Sequence, residues 1–199
     1  MIIDDIENFA SNLEGKILFD FSVKNLNWFN IGGKTRIFFR PNSLKELIEF
    51  LKLYSNRGKI FVLGAGSNVL FNDETYQGSI IKLGRNFSNI TILNKDTIVA
   101  GAAVTQKKLS QFAKDNNIGG LEFLSCIPGS VGGGIRMNSG CFNREFKDII
   151  ISLQIVDYFG QVKSIPAKKI NFKYRNTDIS KNVIFLSATF KGYEKKNLK

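Results

Sequence analysis

The sequence predicts an α+β protein with two lobes that meet near residue 77. Before that point strand and helix patterns alternate, whereas after it short apolar runs separated by turn residues dominate. The length of 199 residues suits one large domain or two small lobes, and 43% hydrophobic residues are typical of a folded chain. We expect these parts: a helix and lead-in at 1–21, lobes at 22–77 and 78–192, and a basic tail at 193–199.

The N-terminal helix and the elements of the first lobe are predicted from residue spacing and capping residues. Ile3, Ile6, Ala10 and Leu13 recur at helical spacing before Gly15, which indicates a short N-terminal helix.

A strand, a helix and a second strand follow. The strand pattern covers residues 36–39. Ser43 and Glu46 then stand at the N-cap and N3 positions of a capping box, ahead of a helix that we expect to end by Gly58. The apolar run 60–63 ends in glycines, which predicts a buried strand leading into a functional loop.

The second lobe contains mostly short strand patterns. Residues 105–116 carry Leu109, Phe112 and Ala113 on one face, which predicts its helix. Strands are predicted at 79–83, 90–93, 97–100, 149–156 and 183–190.

Composition excludes several classes of site. The chain has no histidine, which excludes histidine-based triads, general bases, haem ligands and zinc sites. Cys126 and Cys141 lack metal-binding spacing, so we expect reduced, largely buried thiols and no metal. The acidic start and the absence of eighteen consecutive apolar residues predict a cytoplasmic protein without membrane insertion.

The charge is strongly positive. The 28 Lys and Arg residues exceed the 17 Asp and Glu residues by 11, which favours polyanionic or phosphorylated partners. A nucleic-acid-binding domain is one interpretation, but the excess lies mostly at the C-terminal end and no nucleic-acid motif is present. We therefore expect no nucleic-acid partner, and the lysine-rich end is more simply a solvated tail.

Two glycine clusters invite nucleotide-binding interpretations. In the first, Gly33-Lys34-Thr35 would end a phosphate-binding P-loop, but Trp28 stands where the first glycine is needed and a strand pattern follows. The second, residues 63–70, follows a strand but has Val69 in place of the third glycine of a dinucleotide fingerprint. It is equally compatible with an anion-binding nest and with a plain turn.

The third cluster is the most informative. Glycines at 129, 132, 133, 134 and 140 stand beside apolar residues, which indicates backbone packed against a flat or phosphorylated ligand. A flexible surface loop is the alternative, although such loops are seldom so apolar.

Five ordered motifs over residues 27–175 resemble the UDP-N-acetylenolpyruvoylglucosamine reductase family. They are Asn27 to Gly33, Leu63 to Asn68, Gly120 to Gly133, Met137 to Gly140, and Tyr174-Arg175. The resemblance implies a two-lobed FAD-binding fold of the vanillyl-alcohol-oxidase type and non-covalently bound FAD. It also implies NADPH as reductant and reduction of the enolpyruvyl double bond of a UDP-sugar, giving UDP-N-acetylmuramate for peptidoglycan synthesis.

The resemblance also implies roles for individual residues. It assigns Tyr174 to substrate binding and Arg175 to catalysis, where a fixed cation would stabilise negative charge on the substrate. From the sequence alone, an ordinary surface residue in a basic stretch is the favoured interpretation of Arg175. The cofactor residues implied are Gly64, Gly66, Ser67 and Asn68 at the pyrophosphate, Gly129, Ser130, Gly132 and Gly133 along the flavin, and Asn138 and Gly140 nearby.

The sequence departs from the family pattern at its end. The family's C-terminal substrate domain supplies a proton-donating serine and a late glutamate, and neither motif is present here. Since a positioned general acid is commonly worth a factor of about 10² to 10⁴ in rate, we expect FAD binding more firmly than turnover. A catalytically incomplete FAD- or nucleotide-binding module is the alternative.

Overall fold

A computed structural model describes residues 2–11 and 13–195. Its α-helices are α1 (Ile2–Ala10), α2 (Leu44–Tyr54), α3 (Gln106–Asp115) and α4 (Val131–Arg136). The first three were predicted, and Ser43 and Glu46 form the expected capping box of α2. Helix α2 ends at Tyr54, before the stop expected at Gly58. Helix α4 was not predicted, because its three consecutive glycines disfavour a helix on propensity alone.

The strands, numbered along the described chain, comprise the predicted runs, two further strands at 16–22 and 162–166 that were not predicted, and several two-residue strands. They are β1 (Lys16–Ser22), β2 (Lys34–Arg40), β3 (Lys59–Val62), β4 (Tyr76–Ile81), β5 (Ile90–Asn94), β6 (Thr97–Gly101), β7 (Ile118–Gly119), β8 (Gly140–Cys141), β9 (Arg144–Glu145), β10 (Ile150–Asp157), β11 (Val162–Pro166), β12 (Phe172–Lys173), β13 (Asn176–Thr177), β14 (Val183–Lys191) and β15 (Tyr193–Glu194).

Two sheets organise the molecule. The first has the order β1-β2-β4-β3, with β2, β4 and β3 parallel and β1 antiparallel at the edge. The second has the order β11-β10-β14-β6-β5 and is antiparallel throughout. The parallel strands of the first sheet leave their carboxyl ends at one edge, which is where ligands bind in sheets of this type.

The predicted domain limits need three corrections. A boundary at residue 77 would cut β4, which is paired with both β2 and β3, so the first sheet extends to Ile81. The expected lead-in contains β1, a strand of that same sheet. The tail expected from residue 193 begins as β15, which pairs with β7, and Lys195 forms an ion pair of 2.7 Å with Glu122. Residues 196–199 lie outside the described residues.

One hydrophobic core joins the two sheets. Phe39 of β2 and Leu47 of α2 belong to the same buried cluster as Val156 of β10 and Ile184 of β14. A second cluster fills the other face of the five-stranded sheet under α3 and α4, and a third lies on the outer face of the four-stranded sheet. The shared cluster fixes the loops of one sheet relative to those of the other.

The cysteines differ from the expectation of burial. Both thiols are free, but Cys126 is exposed and Cys141 is half-buried. None of the helices within residues 2–11 and 13–195 is long and apolar enough to cross a membrane.

The buried carboxylate of Glu46 ties the N-terminal segment to α2. Its Oε1 accepts the backbone N–H groups of Glu14 (2.8 Å) and Gly15 (3.1 Å), and its Oε2 accepts those of Asn42 (2.6 Å) and Ser43 (3.3 Å). Burial alone would raise the pKa of Glu46, but these four donors outweigh it and hold the pKa below its ordinary value.

We expect Glu46→Gln to lower the free energy of unfolding by about 1–3 kcal/mol at neutral pH, because buried N–H donors lose their charged acceptor. A lowered folded-state pKa stabilises the fold above the unfolded-state pKa of about 4.3, and this contribution disappears as the pH falls through the folded-state value. The difference between wild type and variant should therefore shrink in acid. Urea unfolding across this pH range measures it.

Glu49→Gln is the matched control, because Glu49 is an exposed residue of the same helix. An equal loss of stability in both variants, or a difference that persists undiminished in acid, would contradict the role given to Glu46.

Candidate functional site

The second glycine cluster forms a loop at the carboxyl edge of the parallel strands. The chain leaves β3 at Val62 and returns at Tyr76 to begin β4. Within this loop Gly66 has a φ of +75°, and a Cβ at that position would clash with the carbonyl oxygen of Leu26. Gly66 is therefore required both by its backbone conformation and by the close approach of the segment before Asn27.

The loop presents unpaired donors. Within the described ranges, no hydrogen bond is donated by the backbone N–H groups from Gly64 to Asn68. The carbonyl groups of the loop are engaged instead: the carbonyl of Gly66 accepts the N–H of Trp28 at 3.1 Å, and that of Gly64 accepts the Lys82 ammonium. Successive free N–H groups of this kind suit an anion.

The third glycine cluster lies directly beside this loop. The hydroxyl of Ser67 donates to the carbonyl of Pro128 at 3.0 Å. A Cβ at Gly64 would lie 2.5 Å from Oγ of Ser130, and a Cβ at Gly129 would lie 3.3 Å from Oγ of Ser67. Two segments more than sixty residues apart in sequence therefore lie against each other. A side chain at Gly64 would prevent this approach.

Helix α4 continues the third cluster. Ser130 caps it and accepts the N–H of Gly133 at 3.3 Å. A Cβ at Gly132 would lie 3.1 Å from Ala102, and one at Gly134 would lie 2.5 Å from the ring of Phe146. A Cβ at Gly133 would meet only Ser130 Oγ at 3.4 Å. Two of the three glycines therefore allow the helix to pack, whereas Gly133 borders open space.

Two residues of this region were not predicted from the sequence. Gln106, the first residue of α3, is buried behind the third cluster, and its N–H donates to the carbonyl of Gly129 at 3.0 Å. Its side-chain Oε1 has no hydrogen-bond partner within the described part of the chain. Lys82 interrupts the apolar run 79–83, and that interruption was the signal available in the sequence.

Asn138 is held inside the protein. It is fully buried with a φ of +40°, and its Nδ2 donates to Glu145 Oε2 and to the carbonyl of Lys173, both at 3.1 Å. Its Oδ1 accepts the N–H of Lys147 at 3.0 Å. Its side chain therefore connects the end of α4 to the β8–β9 and β12–β13 hairpins and is saturated by these contacts.

Tyr174 and Arg175 form the tip of the β12–β13 hairpin. Tyr174 is 82% exposed, and Arg175, also exposed, has a φ of +54°. The Arg175 guanidinium lies 5.5 Å from the Tyr174 ring centre and donates to the carbonyl of Gly140 at 3.4 Å. The hairpin thus places a cation beside Gly140.

The carboxylate of Glu145 lies near the Arg175 guanidinium. The hydrogen bond from Lys147 lowers the pKa of Glu145, burial opposes this, and the bond from Asn138 and the charge of Arg175 lower it further. The ionised Glu145 is itself paired with Lys147 at 2.6 Å. Arg175 has no ion-pair partner within residues 2–11 and 13–195, which leaves its charge available to an anionic ligand.

The predicted site residues therefore fall into two groups. The loop that contains Gly64, Gly66, Ser67 and Asn68 contacts the segment 128–133. Asn138, Gly140, Tyr174 and Arg175 form a second group at the opposite end of α4.

Comparison with known proteins identifies relatives of this chain. It is 55% identical over 195 residues to the UDP-N-acetylenolpyruvoylglucosamine reductase of Pelagibacter ubique (strain HTCC1062), covering 98% of this chain and 65% of that protein. It is 39% identical over 179 residues to the reductase of the same name from Rickettsia canadensis (strain McKiel), covering 90% of this chain and 60% of that protein. The chain thus spans less than two thirds of the length of these relatives.

Solved structures share the fold. The crystal structure of UDP-N-acetylenolpyruvylglucosamine reductase from Thermus caldophilus superposes with a TM-score of 0.78 at 23% identity, over 92% of this chain and 64% of that one. The predicted fold class, an α+β two-lobed FAD-binding fold, is thereby confirmed. A model of the FAD binding domain matches residues 35–165. The chain belongs to the FAD binding domain family.

Proposed function

We propose that this chain is the FAD-binding part of a reductase that converts UDP-N-acetylglucosamine enolpyruvate into UDP-N-acetylmuramate, a peptidoglycan precursor, with NADPH as reductant. The observation that carries the proposal is the junction of the two glycine clusters, where Ser67 bonds to Pro128 beside a row of free N–H groups. The names of the relatives support the same reaction. The proposal includes a cytoplasmic location, since its substrates would be a UDP-sugar and NADPH.

The residues present fit FAD in two respects. The free N–H groups from Gly64 to Asn68 suit the pyrophosphate, as proposed for Gly64, Gly66, Ser67 and Asn68. The surface at Gly133 lacks a side chain and borders open space, which suits the flat flavin ring beside Gly129, Ser130 and Gly132. When bound, FAD supplies the group that accepts hydride from NADPH and passes it to the substrate.

In the second group Tyr174 and Arg175 would serve the substrate, whereas the family resemblance assigns Asn138 and Gly140 to the surroundings of the cofactor. We propose that Arg175 stabilises negative charge on the enolpyruvyl group as hydride arrives, while Tyr174 contacts the UDP-sugar. Asn138 would act indirectly, because its side chain is saturated by Glu145, Lys147 and Lys173. Its contribution would be to hold the β12–β13 hairpin, which carries Arg175, close to Gly140.

The first test is flavin retention. The purified 199-residue protein is incubated with FAD, desalted and examined by absorbance, and NADPH is then added without oxygen. A retained flavin band that NADPH bleaches is the expected result. Loss of all flavin on desalting, with no binding in equilibrium titration, would contradict the proposal.

Complementation separates the full reaction from FAD binding alone. If expression of the chain restores growth to a reductase-deficient strain, the chain carries the whole activity. If it retains flavin without restoring growth, the alternative of a catalytically incomplete FAD-binding module is favoured.

We expect Gly133→Ala to weaken FAD binding by roughly tenfold or more while leaving the apo-protein at least as stable as wild type. The added methyl group meets only Ser130 within the protein but enters the proposed flavin space, and alanine favours a helix over glycine by about 1 kcal/mol. Equilibrium FAD titration and thermal unfolding measure the two effects.

Gly132→Ala is the matched control in the same helix. Its methyl group would press against Ala102, so it should lower thermal stability. Unchanged FAD affinity in Gly133→Ala would remove Gly133 from the cofactor site.

We expect Arg175→Gln to leave FAD affinity within about twofold of wild type but to abolish the change that UDP-N-acetylglucosamine enolpyruvate causes in the bound flavin spectrum. The reason is that Arg175 lies on the hairpin beside Gly140, at the opposite end of α4 from residues 64–68 and 129–133, and provides the charge that would face the substrate. Lys181→Gln, an exposed cation elsewhere, should leave both measurements unchanged. If the substrate still changes the flavin spectrum of Arg175→Gln as it does that of wild type, Arg175 is an ordinary surface residue.

A further inference from the structure

Lys82 occupies a special position at the carboxyl edge of the first sheet. It directly follows β4, and its backbone N–H donates to the carbonyl of Phe39 in β2 at 2.9 Å. Its side chain reaches across to the exit of β3, where the ammonium donates to the carbonyl of Gly64. Lys82 thus contacts the loop at Gly64, the first of the residues whose backbone N–H groups are free.

The ammonium lacks a compensating negative charge. Lys82 is half-buried, and no carboxylate forms an ion pair with it among residues 2–11 and 13–195. Burial lowers its pKa, and the nearby charge of Arg40 lowers it further. A partly buried cation with only a carbonyl partner is unfavourable in the free protein, and an anion bound nearby would relieve that cost.

The contact also orients the loop. With the carbonyl of Gly64 held by Lys82 and that of Gly66 held by Trp28, both acceptors are turned into the protein. The N–H groups of the same stretch, from Gly64 to Asn68, remain without partners in the described structure. Because a peptide unit has its carbonyl and N–H on opposite sides, holding the carbonyl inward turns the following N–H outward.

We propose that Lys82 is a positioning residue for the pyrophosphate of FAD. It fixes the Gly64 carbonyl so that the loop N–H groups face the anion, and it adds positive charge beneath them. This inference rests on the proposed FAD function and deepens it. It concerns the pyrophosphate and not the flavin ring, which would be held by Gly129, Ser130, Gly132 and Gly133.

The test compares FAD with riboflavin, which has the same ring but no phosphate. We expect Lys82→Met to weaken FAD binding roughly 10- to 100-fold, the range for loss of a charge-assisted interaction, and riboflavin binding by less than about threefold. Lys82→Arg keeps the charge and should restore most of the FAD affinity. Lys114→Met, an exposed lysine in α3, makes the same change in net charge and should have little effect.

Three results would overturn the proposal: equal weakening of both flavins with a matching fall in the apo-protein melting temperature, unchanged FAD affinity in Lys82→Met, or an equal loss in Lys114→Met. The first would make Lys82 a structural residue only. The selective loss of FAD affinity with rescue by arginine supports positioning of the pyrophosphate.

Inorganic pyrophosphate separates this inference from the proposed function. If wild-type protein binds no FAD, the proposed function fails, and thermal stabilisation by pyrophosphate then tests Lys82 independently. Stabilisation of wild type that Lys82→Met loses supports the anion site at the loop. No stabilisation of wild type, or equal stabilisation of both proteins, overturns it.

Discussion

The contact between Ser67 and Pro128 is the constraint on which the candidate site depends. It joins a loop of the four-stranded sheet to the segment that begins α4, and the 3.0 Å hydrogen bond allows no side chain between them. Gly64 can approach Ser130 only because it has no side chain, since a Cβ at Gly64 would lie 2.5 Å from the serine oxygen. The glycines are therefore needed first to let two lobes meet, and only then to admit a ligand.

The packing beneath this contact explains why it can persist. The core that includes Phe39 and Leu47 also includes Val156 and Ile184 of the second sheet, so the two sheets cannot shift independently without opening buried apolar surface. One hydrogen bond, from Ser67 to Pro128, is enough to align the two loops because the strands and helices behind them are already fixed. The shared core therefore keeps the two loops close enough for the contact between Ser67 and Pro128 to form.

The sequence predicted the elements whose local signals agree with the fold and missed those that depend on distant contacts. The capping box of α2 is a local pattern and was predicted correctly. Helix α4 was missed because its glycines disfavour a helix, and their reason for being there is the packing of Gly132 on Ala102 and Gly134 on Phe146. The boundary near residue 77 was wrong because β4 pairs with strands on both sides, which no local pattern reveals.

The two halves of the candidate site differ in how firmly the protein holds them. The proposed cofactor side consists of backbone groups fixed by packing and by contacts with Lys82, Trp28 and Ser130. The proposed substrate side is an exposed hairpin tip, where a 3.4 Å hydrogen bond holds Arg175 to Gly140. Ordering long exposed side chains costs conformational entropy, so ligand binding at the hairpin must supply that free energy, whereas the glycine clusters are already organised. On this basis we expect FAD binding to require little ordering of the folded chain, whereas the proposed substrate contacts would order the hairpin only on binding.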